Sequence, residues 1–339
     1  MKTNQSMFVR RILEDRGFDP AEGLVSAYAP SNIALCKYWG KRDSELNLPL
    51  TSSLSISLGR SGTTTVMSVI DSPEDEVFYE GKQLAKESPF AQRLSTFLDL
   101  FRGPNAHHFH IDTHNDVPVA AGLASSASGF AALVEALNLL FSWKLDDRSL
   151  SLLARLGSGS ACRSLWHGFV EWSAGVKADG SDSYATVMPD TWTDFCVGLV
   201  ITNRDRKPIS SREAMNLTRD TSSFYNEWPM VVEKDLAAIK QAISKQDFEQ
   251  LGEVAESNAM TMHALMMSAR PPIMYSLPET IAHIRKVWEL RQSGVPVYFT
   301  QDAGANLKLL FEKKSLLAVQ DNFESVEVIE PFSEFITHG

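Results

Sequence analysis

Pro118-Val-Ala-Ala-Gly-Leu-Ala-Ser-Ser-Ala-Ser-Gly129 carries no charge over twelve residues and nothing bulkier than Leu123. A strand-like run, 108–113, precedes it. A helical pattern over 125–141 follows, with Phe130, Val134, Leu137 and Phe141 on one face. Small residues let a backbone approach a ligand closely, and Gly122 accepts conformations closed to other residues. The first N–H groups of the following helix lack intrahelical partners and favour negative charge. Ser125, Ser126 and Ser128 add hydroxyls able to hold phosphate oxygens or a magnesium ion. No Lys-Ser or Lys-Thr closes the segment and GxGxxG is absent, so it is neither a Walker A loop nor a dinucleotide fingerprint. The competing reading is a serine-capped helix start packed tightly for structural reasons.

Outward from this loop, short β-like runs alternate with longer helical ones, the pattern of mixed α and β layers. Residues 25–35, 63–70 and 76–79 read as strands, and 89–101 as an amphipathic helix. Past residue 190 a buried-looking strand, 195–202, leads into three helical patterns, 231–244, 248–268 and 278–291, the last two separated by Pro271-Pro272. Strands are then expected at 295–300 and 325–329, flanking a short helix that starts near Ala305. A further helix over 9–16 precedes the first strand. With 339 residues the chain suits two domains, placed at 1–190 and 191–339.

Composition narrows the function. The chain is 44% hydrophobic and 22% charged, as globular proteins are. No apolar run approaches the ~18 residues of a membrane helix. The first residues carry Arg10, Arg11, Glu14, Asp15 and Arg16 where a signal peptide needs an apolar stretch, and Cys36, Cys162 and Cys196 share no CxxC spacing. A cytoplasmic protein with reduced thiols is expected. A net charge of −10 argues against nucleic-acid binding, yet a cleft on an acidic protein can be locally positive.

The basic residues cluster. Ala29-Pro-Ser-Asn-Ile-Ala-Leu-Cys-Lys-Tyr-Trp-Gly-Lys-Arg-Asp43 holds Lys37, Lys41 and Arg42, with hydroxyls following at 51–57. Lysines are compact point charges suited to phosphate, and hydroxyls complete its shell. Gly157-Ser-Gly-Ser-Ala-Cys-Arg163-Ser reads as a second glycine–serine helix start, ending in a guanidinium suited to a carboxylate. Ser210, Ser211 and Arg212, shortly after Lys207, open an expected helix. In Thr300-Gln-Asp-Ala-Gly-Ala-Asn306, Asp302 sits where a strand meets the expected helix and would otherwise cap it. His108, His110, Asp112 and His114 alternate along one strand face, the mark of a polar outer face more than of a metal site. Met260, Met262, Met266 and Met267 suit helix packing, and Trp39 either packing or stacking on a base.

The loop at 118–129 resembles the phosphate-binding loop of the GHMP small-molecule kinase superfamily, Pro, three residues, then Gly-Leu-x-Ser-Ser. Together with the Lys37-Tyr-Trp-Gly-Lys41, Arg163, Arg212 and Asp302 blocks, in order, the chain resembles the diphosphomevalonate decarboxylase family. The resemblance implies an α+β, GHMP-kinase-like two-domain fold: an N-terminal ribosomal-S5-domain-2-like α/β domain and a C-terminal ferredoxin-like domain. It implies ATP- and magnesium-dependent decarboxylation of a diphosphomevalonate substrate by a homodimer; charge and hydropathy, as above, leave no nucleic-acid or membrane partner expected. By the same resemblance, Asp302 faces the substrate's 3-hydroxyl, Lys37 lies near the transferred phosphoryl group and Arg163 orients the carboxylate. Asn32, Tyr38, Lys41, Ser158, Ser160, Ser211 and Arg212 are the implied substrate contacts. Gly122, Ala124, Ser125, Ser126, Ser128 and Lys207 are the implied nucleotide contacts, with Ser125 a magnesium ligand. The family often reads Asp-Ala-Gly-Pro-Asn where this chain has Ala305. Rival readings are a phosphomevalonate decarboxylase, a mevalonate 3-kinase, or a silent binding protein on the same scaffold.

Overall fold

The structure is a computed structural model that describes residues 4–116, 125–205 and 207–333, the side chain of Ser125 excepted. The chain begins with α1 (Asn4–Ile12), β1 (Val25–Cys36), the small hairpin β2 (Lys41–Asp43) and β3 (Leu48–Pro49), and the long strand β4 (Ser53–Ile70). There follow β5 (Glu76–Tyr79), β6 (Lys82–Gln83), α2 (Pro89–Leu98), β7 (His108–Asn115), α3 (Ser125–Leu140), α4 (Asp147–Gly157), β8 (Phe169–Trp172) and β9 (Ala185–Val187). Among the described residues the N-terminal sheet runs β6-β5-β7-β4-β8-β9, with β1 antiparallel to β4.

β4 organises this half. Its first part alternates Leu54, Ile56 and Leu58 with Ser53, Ser55 and Ser57, all buried. Period-two alternation makes a strand, and it extends β4 well before the 63–70 expected from β-branched content. β1 pairs along nearly all of β4, with register shifts at Pro30/Asn32 and Ala34/Cys36. Such irregularities bend a strand and re-aim its side chains, and here they directly precede Lys37. α2, α3 and α4 supply Leu94, Phe97, Phe130, Leu133, Leu137 and Leu153 to the first core.

The chain crosses to a second sheet after β9. β10 (Phe195–Val200) leads to α5 (Ser211–Thr221), α6 (Trp228–Lys245), α7 (Phe248–Met267) and α8 (Pro278–Gln292). β11 (Val297–Gln301), β12 (Leu307–Glu312), α9 (Leu316–Asn322) and β13 (Glu327–Ile329) complete it. The antiparallel order β11-β12-β10-β13 is the split arrangement of ferredoxin-like domains. No described helix is long and apolar enough to cross a membrane.

Three expectations change. The residues after Ala305 form a strand, not a helix, so Asp302 sits in the hairpin between β11 and β12. Leu307-Lys-Leu-Leu-Phe-Glu312 is covered on both faces, and so short a buried run carries no decisive periodicity. The first helix spans Asn4–Ile12 rather than 9–16, tied down where the Asn4 amide and side chain donate to the Glu45 carboxylate. Finally, the helix start expected at 157–164 is a short 3-10 helix over Gly159–Arg163, directly after α4. On β7, Phe109 and Ile111 point inward while His108, His110 and His114 lie outside beside Asp75, Glu76 and Glu80.

The second core is shared. Ile33, Leu35, Trp39, Leu54 and Ile56 from the N-terminal sheet pack in one cluster with Trp228, Val232, Leu251 and Phe299. Trp39 is buried there, and its carbonyl accepts from Tyr225 Oη at 2.8 Å. This junction fixes how the two sheets face each other.

Candidate active site

At the junction lies a crevice of about 490 Å³. Lys37, Tyr38, Lys41, Ser126, Ser158, Ser160, Arg163, Lys207, Ser211, Arg212 and Asp302 all line it, drawn from segments scattered over most of the chain. Arg93 of α2 adds a sixth basic residue, against the single carboxylate of Asp302 among the described lining residues. On a chain of net charge −10 this is a strong local reversal, and it suits an anionic ligand.

Asp302 is held rigidly. Lys37 Nζ donates to its Oδ1 at 2.6 Å, and Lys308 Nζ lies 3.5 Å from Oδ2. Burial alone would raise its pKa, but the two ammonium groups hold the carboxyl well below the usual carboxylate range. Its hairpin is strapped: Gln301 Nε2 donates to Gly304 O at 2.8 Å, and Asn306 Oδ1 accepts from the backbone of Thr202 and Asn203 at 2.8 and 2.9 Å. From α7, His263 Nε2 approaches Asp302 O at 3.2 Å. Lys37 is positioned from its own backbone, where its N–H donates to Asn258 Oδ1 at 2.8 Å. Asn258 is oriented in turn by donating to Asp235.

Arg163 is buried, with Nη1 donating to Ser53 Oγ at 2.6 Å and Nε to Ser55 Oγ at 3.2 Å. It makes no salt bridge among the described residues. Burial lowers its pKa, since a desolvated cation without a counter-ion is disfavoured. Such a guanidinium is built to receive an anion. The hydroxyl run at 51–57, read as a phosphate shell, therefore does something else: Ser53 and Ser55 hold Arg163, and Ser57 Oγ accepts from Gly168 N.

The other end of the crevice gathers Lys41, Arg93 and Arg212. Burial, then Arg212 and Arg93, push the Lys41 ammonium down to about 8. Asn47 fixes Lys41 through its Oδ1 while its Nδ2 donates to the carbonyls of Arg155 and Leu156. Tyr38 Oη is buried without a hydrogen-bond partner among the described residues. The α5 N-terminus faces the crevice too, its Ser210–Glu213 capping box leaving Ser211 Oγ to accept from Lys207 at 2.8 Å.

Two expected contacts lie elsewhere. Ser128 is fully buried, its hydroxyl engaged with Thr63 Oγ1 at 2.6 Å and Ser31 Oγ at 3.3 Å, so it serves helix-to-sheet packing rather than a nucleotide. Asn32 is not in the lining; it stands behind it, donating to Ser164 Oγ at 2.6 Å. Gly122, Ala124 and the Ser125 side chain, with its proposed magnesium, lie outside the described residues. Sequence reasoning missed Arg93, Asn258, His263 and Lys308. Arg93 and Lys308 sit among apolar neighbours in elements read only for their packing, so no local pattern singles them out.

Fold and crevice together define a GHMP-kinase-like enzyme, two walls closing on a cationic cleft with one acid. Two family models match: "Diphosphomevalonate decarboxylase-like N-terminal domain" over residues 29–185 and "Mevalonate 5-diphosphate decarboxylase C-terminal domain" over 197–335. The chain belongs to the diphosphomevalonate decarboxylase family. It is 36% identical over 305 residues to the diphosphomevalonate decarboxylase of Candida albicans, covering 85% of this chain and 84% of that one. The crystal structure of mevalonate diphosphate decarboxylase from Staphylococcus aureus is similar at TM-score 0.86 and 38% identity, over 92% of this chain and 97% of the other. MDDEF in complex with MVAPP, AMPPCP and magnesium is similar at TM-score 0.81 and 38% identity, over 91% and 100%.

Proposed function

We propose that the crevice converts (R)-5-diphosphomevalonate to isopentenyl diphosphate with ATP and magnesium, releasing ADP, phosphate and carbon dioxide. The observation that carries this reading is the charge gathered in one crevice: the carboxylate of Asp302, the buried Arg163 guanidinium with no salt bridge among the described residues, and a Lys41–Arg93–Arg212 cluster. A substrate with a tertiary alcohol, a carboxylate and a terminal diphosphate matches all three. The six basic lining residues and the Ser126 hydroxyl also suit a nucleotide triphosphate. When bound, ATP with magnesium supplies the phosphoryl group that makes the 3-hydroxyl oxygen a leaving group.

Asp302 accepts a hydrogen bond from the 3-hydroxyl and aims its oxygen; held so far below the ordinary carboxylate range, it is an orienting anion more than a strong base. Lys37 stabilises charge on the phosphoryl group in flight. Arg163 holds the substrate carboxylate in line while its C–C bond electrons become the new double bond. Lys41, Arg93, Arg212, Tyr38, Ser158 and Ser160 anchor the diphosphate, and this remote binding places the reacting carbon. Units 1–190 and 191–339 form the two walls. Three buried free thiols support a cytoplasmic location, and a homodimer is the proposed assembly.

Incubation with each of the three mevalonate forms and ATP tests the substrate. ADP and carbon dioxide in equal amounts from the diphosphate form are expected. ADP without carbon dioxide would instead mark a 3-kinase, and faster turnover of the monophosphate form a phosphomevalonate decarboxylase.

A further inference from the structure

Asp302 has two lysines where one would neutralise it. Lys37 and Lys308 side chains are each 2% exposed, whereas that of Asp302 is 35% exposed toward the crevice. Lys37 lines the crevice; Lys308 does not. Lys308 is the second residue of β12, paired with Leu199 and Thr300 on the neighbouring strands. Its Nζ lies 3.5 Å from both Asp302 Oδ2 and Asn306 O. A lysine in a sheet interior of Leu307, Leu309, Leu310 and Phe311 contributes nothing to packing that leucine would not do better. Its burial is compensated by the carboxylate.

The geometry points to Lys308 as a positioning residue for Asp302, holding its Oδ2 side from behind so that Lys37 is free to leave Oδ1 and meet the transferring phosphoryl group. The inference rests on the roles given above to Asp302 and Lys37. Without Lys308, departure of Lys37 would leave a half-buried carboxylate uncompensated, and it would take up a proton instead of receiving the hydroxyl. The remaining charged groups facing it cannot substitute. Arg163, held by Ser53 and Ser55, is taken by the substrate carboxylate, and Lys207 donates to Ser211 Oγ and Ala303 O. His263 is kept neutral, its pKa pushed down to about 4 by burial and by Lys37.

The test is steady-state turnover of diphosphomevalonate and ATP by Lys308→Met, Lys308→Gln and Lys308→Arg against pH, with Asp302→Asn as reference and thermal midpoints as the folding check. In whichever neutral variant folds, kcat should fall about 10- to 100-fold, the scale of groups that orient a reacting ligand. KM for diphosphomevalonate should stay within about threefold, separating positioning from substrate contact. The acid limb of kcat should move up by about one pH unit or more, because losing a nearby cation raises the Asp302 pKa. Lys308→Arg, which keeps the charge, should return that limb toward wild type. A folded neutral variant with unchanged kcat and acid limb, or with only KM raised, overturns the inference while Asp302→Asn is inactive. Wild-type turnover by Asp302→Asn would instead remove the reading on which it rests.

Discussion

Two charged side chains in the crevice make opposite demands on pH and stability. Lys41 is held at about 8, so it loses its charge as pH rises through that value, whereas an unfolded lysine titrates near 10.4. Between these values the unfolded chain binds more protons, and stability attributable to this group rises with pH. Substrate binding runs the other way: KM for diphosphomevalonate should climb above about pH 8 as the ammonium is discharged, and Lys41→Arg should flatten that limb. A KM flat to pH 9.5 in the wild type would remove Lys41 from the diphosphate site. Arg163 is a buried cation with hydroxyl partners and no counter-ion among the described residues. Arg163→Gln should cost about 2–5 kcal/mol in kcat/KM, the scale for truncating one side of a buried charge pair. The same variant should leave the ligand-free protein's thermal midpoint unchanged or higher, because it removes an uncompensated charge. A lower midpoint with unaltered kcat/KM would make Arg163 structural.

The elements that carry the site were unevenly legible. The loop-to-helix start at Ser125 and the cation-bearing end of β1 stood out because small residues, glycine and clustered charge leave local patterns. The Asp302 hairpin did not, because β12 is buried on both faces and its Leu-Lys-Leu-Leu-Phe run reads equally as helix. The serines of β4 misled for a related reason: hydroxyls buried to serve an arginine look, in one dimension, like hydroxyls offered to phosphate. Rigidity of the hairpin is an element-scale property. Buried Thr280 at the start of α8 donates to Ala305 O at 2.8 Å and accepts from Leu277 N at 3.1 Å. Thr280→Val keeps the shape and orphans both groups, at about 1–3 kcal/mol. A lower thermal midpoint with kcat reduced several-fold is expected. A lower midpoint with kcat intact would show that Gln301 and Asn306 hold Asp302 without α8.

Across the whole molecule, the site exists only because the end of β1, the turn after α4, the start of α5 and the β11–β12 hairpin converge on one crevice. The shared core of Leu35, Trp39 and Leu54 with Trp228, Val232 and Phe299 sets that convergence. Order and type of these motifs along the chain were readable; the third dimension was not. Arg93, Asn258 and Lys308 are invisible in sequence because their roles come from what the fold sets beside them: Lys41 and Arg212, the Lys37 backbone, and Asp302. The most direct measurement is single-turnover release of carbon dioxide and ADP from diphosphomevalonate and ATP by Asp302→Asn, with nucleotide binding followed in parallel. Both products should slow together by roughly 10²–10⁴-fold while the nucleotide still binds. Release of either product at the wild-type rate would contradict the placement of Asp302 at the reacting hydroxyl.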